Sequence, residues 1–143
     1  LNYGYSHPKI LGTLLSQAGR LSLCSKNLYH DQLSGFLEKL CLLTRMDKAI
    51  LANSIFEIRE IAVKAAKTWG IQRKGLQPDQ VEIITTTPRG FRTVPYGDLK
   101  ALHKMINSGT CAVITESIQN KGGLKIPEKD YLLEVARICR EYN

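Results

Sequence analysis

Apolar residues along this chain alternate between stretches with helical spacing and short continuous runs. Leu11, Leu14, Leu15 and Ala18 share one face of a helix that Pro8 opens, because proline's fixed φ suits a first turn. Asp31 is placed to cap a second helix whose stripe is Leu33, Phe36, Leu37, Leu40 and Cys41. Ala49-Ile50-Leu51-Ala52 reads as a short buried strand, and it runs straight into Asn53-Ser54-Ile55-Phe56-Glu57. Ser54 and Glu57 have the spacing of a capping box. The helix they start is predicted to bury Ile58, Ile61, Ala62, Ala65 and Trp69, and to end at Gly70 or Gly75.

The β-branched run Val81-Glu82-Ile83-Ile84-Thr85-Thr86 predicts a second strand, and Pro88, Gly90, Pro95 and Gly97 mark a connection after it. Asp98 caps a helix that turns Leu99, Leu102, Met105 and Ile106 inward. Cys111-Ala112-Val113-Ile114-Thr115 predicts a third strand. After a turn at Gly122-Gly123, Pro127 opens a last helix with Tyr131, Leu132, Val135, Ile138 and Cys139 on one side. Strands separated by helices point to an α/β class with a short, mostly parallel sheet flanked by helices. Such a small sheet has open edges that a folded protein normally covers.

A length of 143 residues suits a single domain with its own core, and 43% apolar with 23% charged residues is a globular composition. No apolar run reaches the ~20 residues of a membrane span, so no membrane association is expected. Cys24, Cys41, Cys111 and Cys139 are scattered and sit among apolar neighbours, as do small core residues. Neither they nor His7, His30 and His103 have metal-ligand spacing, so no metal is expected, and a reduced, cytoplasmic protein is the default. The +7 net charge suits polyanions in principle. The basic residues lie along helical faces, densest at Lys64, Lys67, Arg73 and Lys74, with no interleaved aromatics. A solvated helix face accounts for them better than a nucleic-acid surface.

The junction at Asn53-Ser54 is the one place where the residues themselves suggest chemistry. A helix N-terminus fed by a buried strand presents free N–H groups to an anion such as phosphate. Most such junctions bind nothing, and a cap is explanation enough for Ser54. Glu57 and Glu60 are accounted for by capping and by an ion pair with Lys64, and no nucleophile–base set is legible.

Several motifs in one order carry a more specific signal. Asn53-Ser54-Ile55-Phe56-Glu57-Ile58 is similar to an Asn-Thr-Gly-x-Glu-Ala turn, and Lys64-Ala65-Ala66-Lys67-Thr68-Trp69 to Lys-x-Ala-Arg-x-Trp. Val94-Pro95-Tyr96-Gly97-Asp98-Leu99 is similar to Ile-Pro-Tyr-x-Asp-Leu. Glu116-Ser117-Ile118-Gln119-Asn120-Lys121-Gly122-Gly123 is similar to Glu-Pro-Ile-Gln-Gly-Glu-x-Gly, followed by Ile126-Pro127. His7-Pro8-Lys9-Ile10 and Ser25-Lys26-Asn27-Leu28-Tyr29 fit the approach to the first turn. In this combination the chain resembles the early part of class III pyridoxal-phosphate aminotransferases, most closely the ornithine aminotransferases.

That resemblance implies part of the large domain of an aspartate aminotransferase-like fold. Residues 1–143 form a single partial domain on this reading, with 1–23 an N-terminal arm or connector and 24–143 the N-terminal portion of the large domain. It implies that Ser54, Ile55 and Phe56 make the turn that holds the phosphate of pyridoxal phosphate. The implied family reaction is amino transfer from ornithine to 2-oxoglutarate. The departures point the other way. Ile55 stands where the family turn has the glycine that lets backbone amides approach a phosphate, and Phe56 is beside it. Lys121 reverses the charge of the family's second Glu, and Ser117 replaces its proline. Phe91-Arg92-Thr93 falls in a shortened counterpart of the family's Asn-Phe-x-Gly-Arg-Thr segment, which supplies an aromatic cover for the cofactor ring.

The sequence also stops before the family positions of the ring-nitrogen acid and the Schiff-base lysine. A truncated, degenerate relative is therefore expected, inactive in transamination by itself. The alternative is a non-catalytic interaction protein that pairs with itself as a homo-oligomer, or with a full-length relative as a heteromer.

Overall fold

The computed structural model describes residues 3–25, 27–87, 90–120 and 123–142, in two units, Leu1–Leu51 and Ala52–Asn143. The roles assigned above to Lys26, Pro88, Lys121 and Gly122 lie outside the described residues.

The first unit holds two helices, α1 (Pro8–Arg20) and α2 (Asp31–Thr44). Pro8 opens α1 as its spacing predicted, and His7 Nδ1 accepts the Lys9 N–H at 3.3 Å. Asp31 is not the cap of α2. His30 takes that place without a side-chain hydrogen bond, and Asp31 is the first helical residue, where its charge complements the positive end of the helix. Arg20 Nη2 donates to Asp31 Oδ2 at 2.7 Å, and this holds the Asp31 carboxyl below its usual range. The contact is therefore complete above the ordinary carboxylate range and disappears as pH falls through the lowered value.

The second unit is built on three parallel strands: β1 (Glu82–Thr85), β2 (Arg92–Thr93) and β3 (Thr110–Ile114), in the order β2-β1-β3. β1 pairs with β2 through Ile84↔Arg92 and Thr85↔Thr93, and with β3 through Ile84↔Val113 and Thr85↔Ile114. The expected α/β class and parallel sheet are present, with one exchange of strands. Ala49–Ala52 is irregular, and Ile50 and Leu51 are exposed. A short apolar run makes a strand only when a neighbour takes up its N–H and C=O groups, and none of the described residues does so there. β2 comes instead from the stretch read as a connection. Thr85 accepts the Val94 N–H at 3.0 Å, which ties that stretch to the central strand.

One face of the sheet carries the core. Ile84 is fully buried with Val94, with Leu102 and Ile106 at α4 (Leu99–Met105), and with Tyr131, Val135 and Ile138 of α5 (Tyr131–Glu141). Asp98 caps α4 as expected, accepting the Ala101 N–H at 2.8 Å. α5 begins at Tyr131, four residues after the proline assigned to open it, with Asp130 left-handed at φ 68°. Its buried residues follow an i, i+4, i+7 line, which leaves Leu132 exposed.

The other face is covered by α3 (Ile55–Lys74), which packs on β3 and β1. It ends at Gly75, whose φ of 69° is the left-handed cap that glycine supplies. Gly70 is a buried helical residue, and a Cβ there would lie 2.3 Å from Cys111 Sγ. The contacting side of α3 therefore runs through Arg59, Val63, Ala66, Gly70 and Lys74, all buried or half-buried. The predicted stripe is rotated away: Ile58, Ala62, Ala65 and Trp69 are exposed, and only Ile61 is half-buried. Lys74 is not simply solvated, since its ammonium donates to the carbonyls of Thr110 (3.1 Å) and Tyr142 (3.0 Å). All four cysteines are free and half-buried, and burial pushes the Cys139 thiol up, away from reactive thiolate. No described helix is long and apolar enough to cross a membrane.

Candidate functional site

Because β1 lies between β2 and β3, the chain leaves its carboxyl end toward one neighbour and reaches the other through α4. In open parallel sheets, ligands settle in the crevice beyond the carboxyl ends at such a reversal. A cavity of about 490 Å³ lies there. Its walls are the first turns of α3 (Ile55, Phe56, Arg59), the end of β1 (Thr85, Thr87) and the end of β3 with Glu116 and Asn120.

The turn into α3 is capped as the Ser54/Glu57 spacing predicts, with a shift of one residue in half of the pattern. Ser54 Oγ accepts the Glu57 N–H at 3.2 Å. The Glu57 carboxylate accepts the N–H of Asn53 at 2.8 Å, rather than that of the cap residue itself. Of the three residues read as a phosphate turn, Ser54 is thus engaged in capping. Ile55 and Phe56 line the cavity and are both exposed.

The threonines around the cavity have partners of their own. Thr85 Oγ1 accepts the Thr87 N–H at 3.1 Å, and Thr86 and Thr115 share a hydroxyl–hydroxyl bond of 3.0 Å. Gln119, at the heart of one sequence motif, is buried and donates from Nε2 to Thr86 O at 3.1 Å, so it braces the strand ends. The exception is Arg59. Its Cζ lies 5.4 Å from the centre of the Phe91 ring, a cation–π contact. Its Nε and Nη2 are shut off from solvent with no hydrogen-bond partner among the described residues. Arg59 went unread in the sequence because it sits in the charged run Glu57-Ile58-Arg59-Glu60, which looks like a solvated face. Its four-residue offset from Val63 and seven-residue offset from Ala66 are the signal that places it on the packed side.

A family model described as aminotransferase class III matches residues 1–92. The chain belongs to the class III aminotransferase family. Ornithine aminotransferase 2 of Staphylococcus aureus (strain Mu50 / ATCC 700699) is 36% identical, in an alignment covering 100% of this chain and 43% of the relative. A solved acetylornithine aminotransferase from Elizabethkingia anophelis is similar in structure, with a TM-score of 0.88, 35% identity, and coverage of 99% of this chain and 38% of that one. The ornithine aminotransferase of Toxoplasma gondii, described with partial occupancy of PLP at its active site, gives a TM-score of 0.90 at 26% identity, over 100% of this chain and 40% of that one. This chain therefore spans less than half the length of the relatives it matches.

Class III aminotransferases depend on pyridoxal phosphate, and the residues at the cavity do not fit that group. Ile55 and Phe56, at the start of α3, put bulky side chains on the cavity wall where a phosphate would need open approach to backbone amides. Among the described residues no lysine lines the cavity to offer an amine to an aldehyde. The α/β fold of a partial domain is shared with the solved aminotransferases.

Proposed function

We propose that this chain is an ornithine aminotransferase-like protein that does not by itself carry out the family reaction, amino transfer from ornithine to 2-oxoglutarate. Residues 24–143 serve as the N-terminal portion of the large domain, with 1–23 as an arm or connector, and Ser54, Ile55 and Phe56 are its counterpart of the cofactor-phosphate turn. The observation that carries this reading is the cavity wall: two bulky side chains at the turn, and no lysine among the described residues that line it. Titration with pyridoxal phosphate, borohydride reduction and peptide mapping tests it. Slow, diffuse labelling of surface lysines is expected, with no glutamate formed from ornithine and 2-oxoglutarate. One saturating adduct on a single lysine, or steady turnover by the pure protein, overturns it.

A second reading has its own observation. The exposed stripe Ile58, Ala62, Ala65 and Trp69 on α3 is apolar surface of the kind buried at protein interfaces. We infer that it pairs with a second copy or with a full-length relative. Light scattering is expected to show a mass that rises with concentration, and Trp69→Asp to hold the protein at 16.0 kDa. A monomer at every concentration, with no heteromer on mixing, removes this reading.

A further inference from the structure

We propose that the cavity at the strand ends binds small monocarboxylates with an apolar body, and that Arg59 is the group that recognises the carboxylate. The inference begins with an imbalance. A guanidinium offers five N–H donors in a planar fork, and it stays charged at any working pH. In Arg59 two of its nitrogens are covered and unpaired, and the contact to Phe91 engages only the face of the fork. A cation–π contact does not replace the hydrogen bonds that water gave those nitrogens. Arg59 already lines the cavity, and the proposed binding requires its fork to turn about the terminal torsions from beneath Phe91 into that space. There a carboxylate accepts two parallel N–H bonds, the strongest pairing open to a guanidinium.

The rest of the wall sets the kind of anion. Ile55, Phe56, Ile58 and Ile114 make it largely apolar, so the ligand's body is hydrocarbon or aromatic. The hydroxyls of Thr85 and Thr115 are committed to neighbours, which leaves Thr87 and Asn120 as the other neutral polar residues on the wall. Glu116 also lines the cavity. Its negative charge works against a second carboxylate and against a phosphate dianion. A monocarboxylate therefore fits where 2-oxoglutarate or a phosphate ester does not. The site needs no pyridoxal phosphate and forms no covalent bond.

The test uses the full 143-residue chain with hexanoate as probe and hexanamide, succinate and inorganic phosphate as comparators. Binding is followed by calorimetry and by amide shifts. Hexanoate is expected to saturate, with shifts confined to the first turns of α3, Phe91 and the ends of β1 and β3. Hexanamide should bind at least about tenfold more weakly, since it lacks the charge-assisted pair. Arg59→Gln should weaken hexanoate by a similar factor and leave hexanamide unchanged, and Arg59→Lys should keep part of the affinity. Equal binding of acid and amide, tighter binding of succinate or phosphate, or shifts scattered over surface lysines overturns the proposal. If Arg59→Gln does not fold, the acid–amide comparison on the unaltered protein decides alone.

Discussion

Ile84→Ala should cost the second unit about 2–5 kcal/mol of unfolding free energy, the range for removing a fully buried aliphatic side chain. Ile84 is 0% exposed at the centre of the middle strand, where it meets Val94, Leu102 and the α5 residues that close the core. Removing its outer carbons leaves a hole bounded by two strands and two helices. β1 itself cannot move into it without disturbing its pairing with β2 and β3. Against the few kcal/mol that usually separate folded from unfolded chains, this is a large fraction of the total. The control is Leu133→Ala, a similar truncation at a residue 67% exposed on α5, expected within about 0.5 kcal/mol of the parent. Urea unfolding followed by far-UV circular dichroism measures both. Equal effects of the two substitutions would place the core elsewhere.

The sequence shows where the elements are better than which side of them is used. β1, β3, α4 and α1 lie within a residue or two of their predicted positions, because β-branched runs, a capping Asp98 and an opening Pro8 are local signals. Ala49–Ala52 has the same local signal as a buried strand, yet pairing is a property of two segments and the run itself carries no information about a partner. β2 is the reverse case: Arg92–Thr93 has no strand pattern and is ordered by the hydrogen bonds that β1 offers it. On α3 the more apolar stripe proved to be the outer one. The sheet selects the side with Ala66 and Gly70, where small residues let the backbones approach, and hydrophobicity alone does not register closeness. The same rotation explains the site. The start of α3 at Ser54 was legible because a cap motif marks it. Arg59 was hidden because its identity suggests solvent while its position on the helix puts it against the sheet.

The rotation of α3 makes the last expectation a test of approach distance rather than of polarity. Alanine is favoured over glycine inside a helix by about 1 kcal/mol, so propensity alone has Gly70→Ala stabilising the protein. The structure predicts the opposite sign. The new methyl would lie 2.3 Å from Cys111 Sγ and 3.4 Å from Val81 Cγ2, well inside contact for the sulfur. Cys111 is the extra residue where the β1–β3 register shifts between Glu82↔Thr110 and Ile83↔Ala112, and turning its Sγ aside gives up the hydrogen bond it donates to Gly109 O at 3.4 Å. Overpacking of this kind costs about 1–3 kcal/mol, which exceeds the propensity gain. Cys111→Ala removes the sulfur and leaves space for the methyl. In the double variant the clash is gone, and the propensity of alanine should emerge as a gain relative to Cys111→Ala alone. The double-mutant cycle should therefore show a favourable coupling of about 1–3 kcal/mol between two residues 41 positions apart. Additive effects would mean that α3 does not cross β3 at Gly70, and that the side carrying Arg59 does not face the sheet.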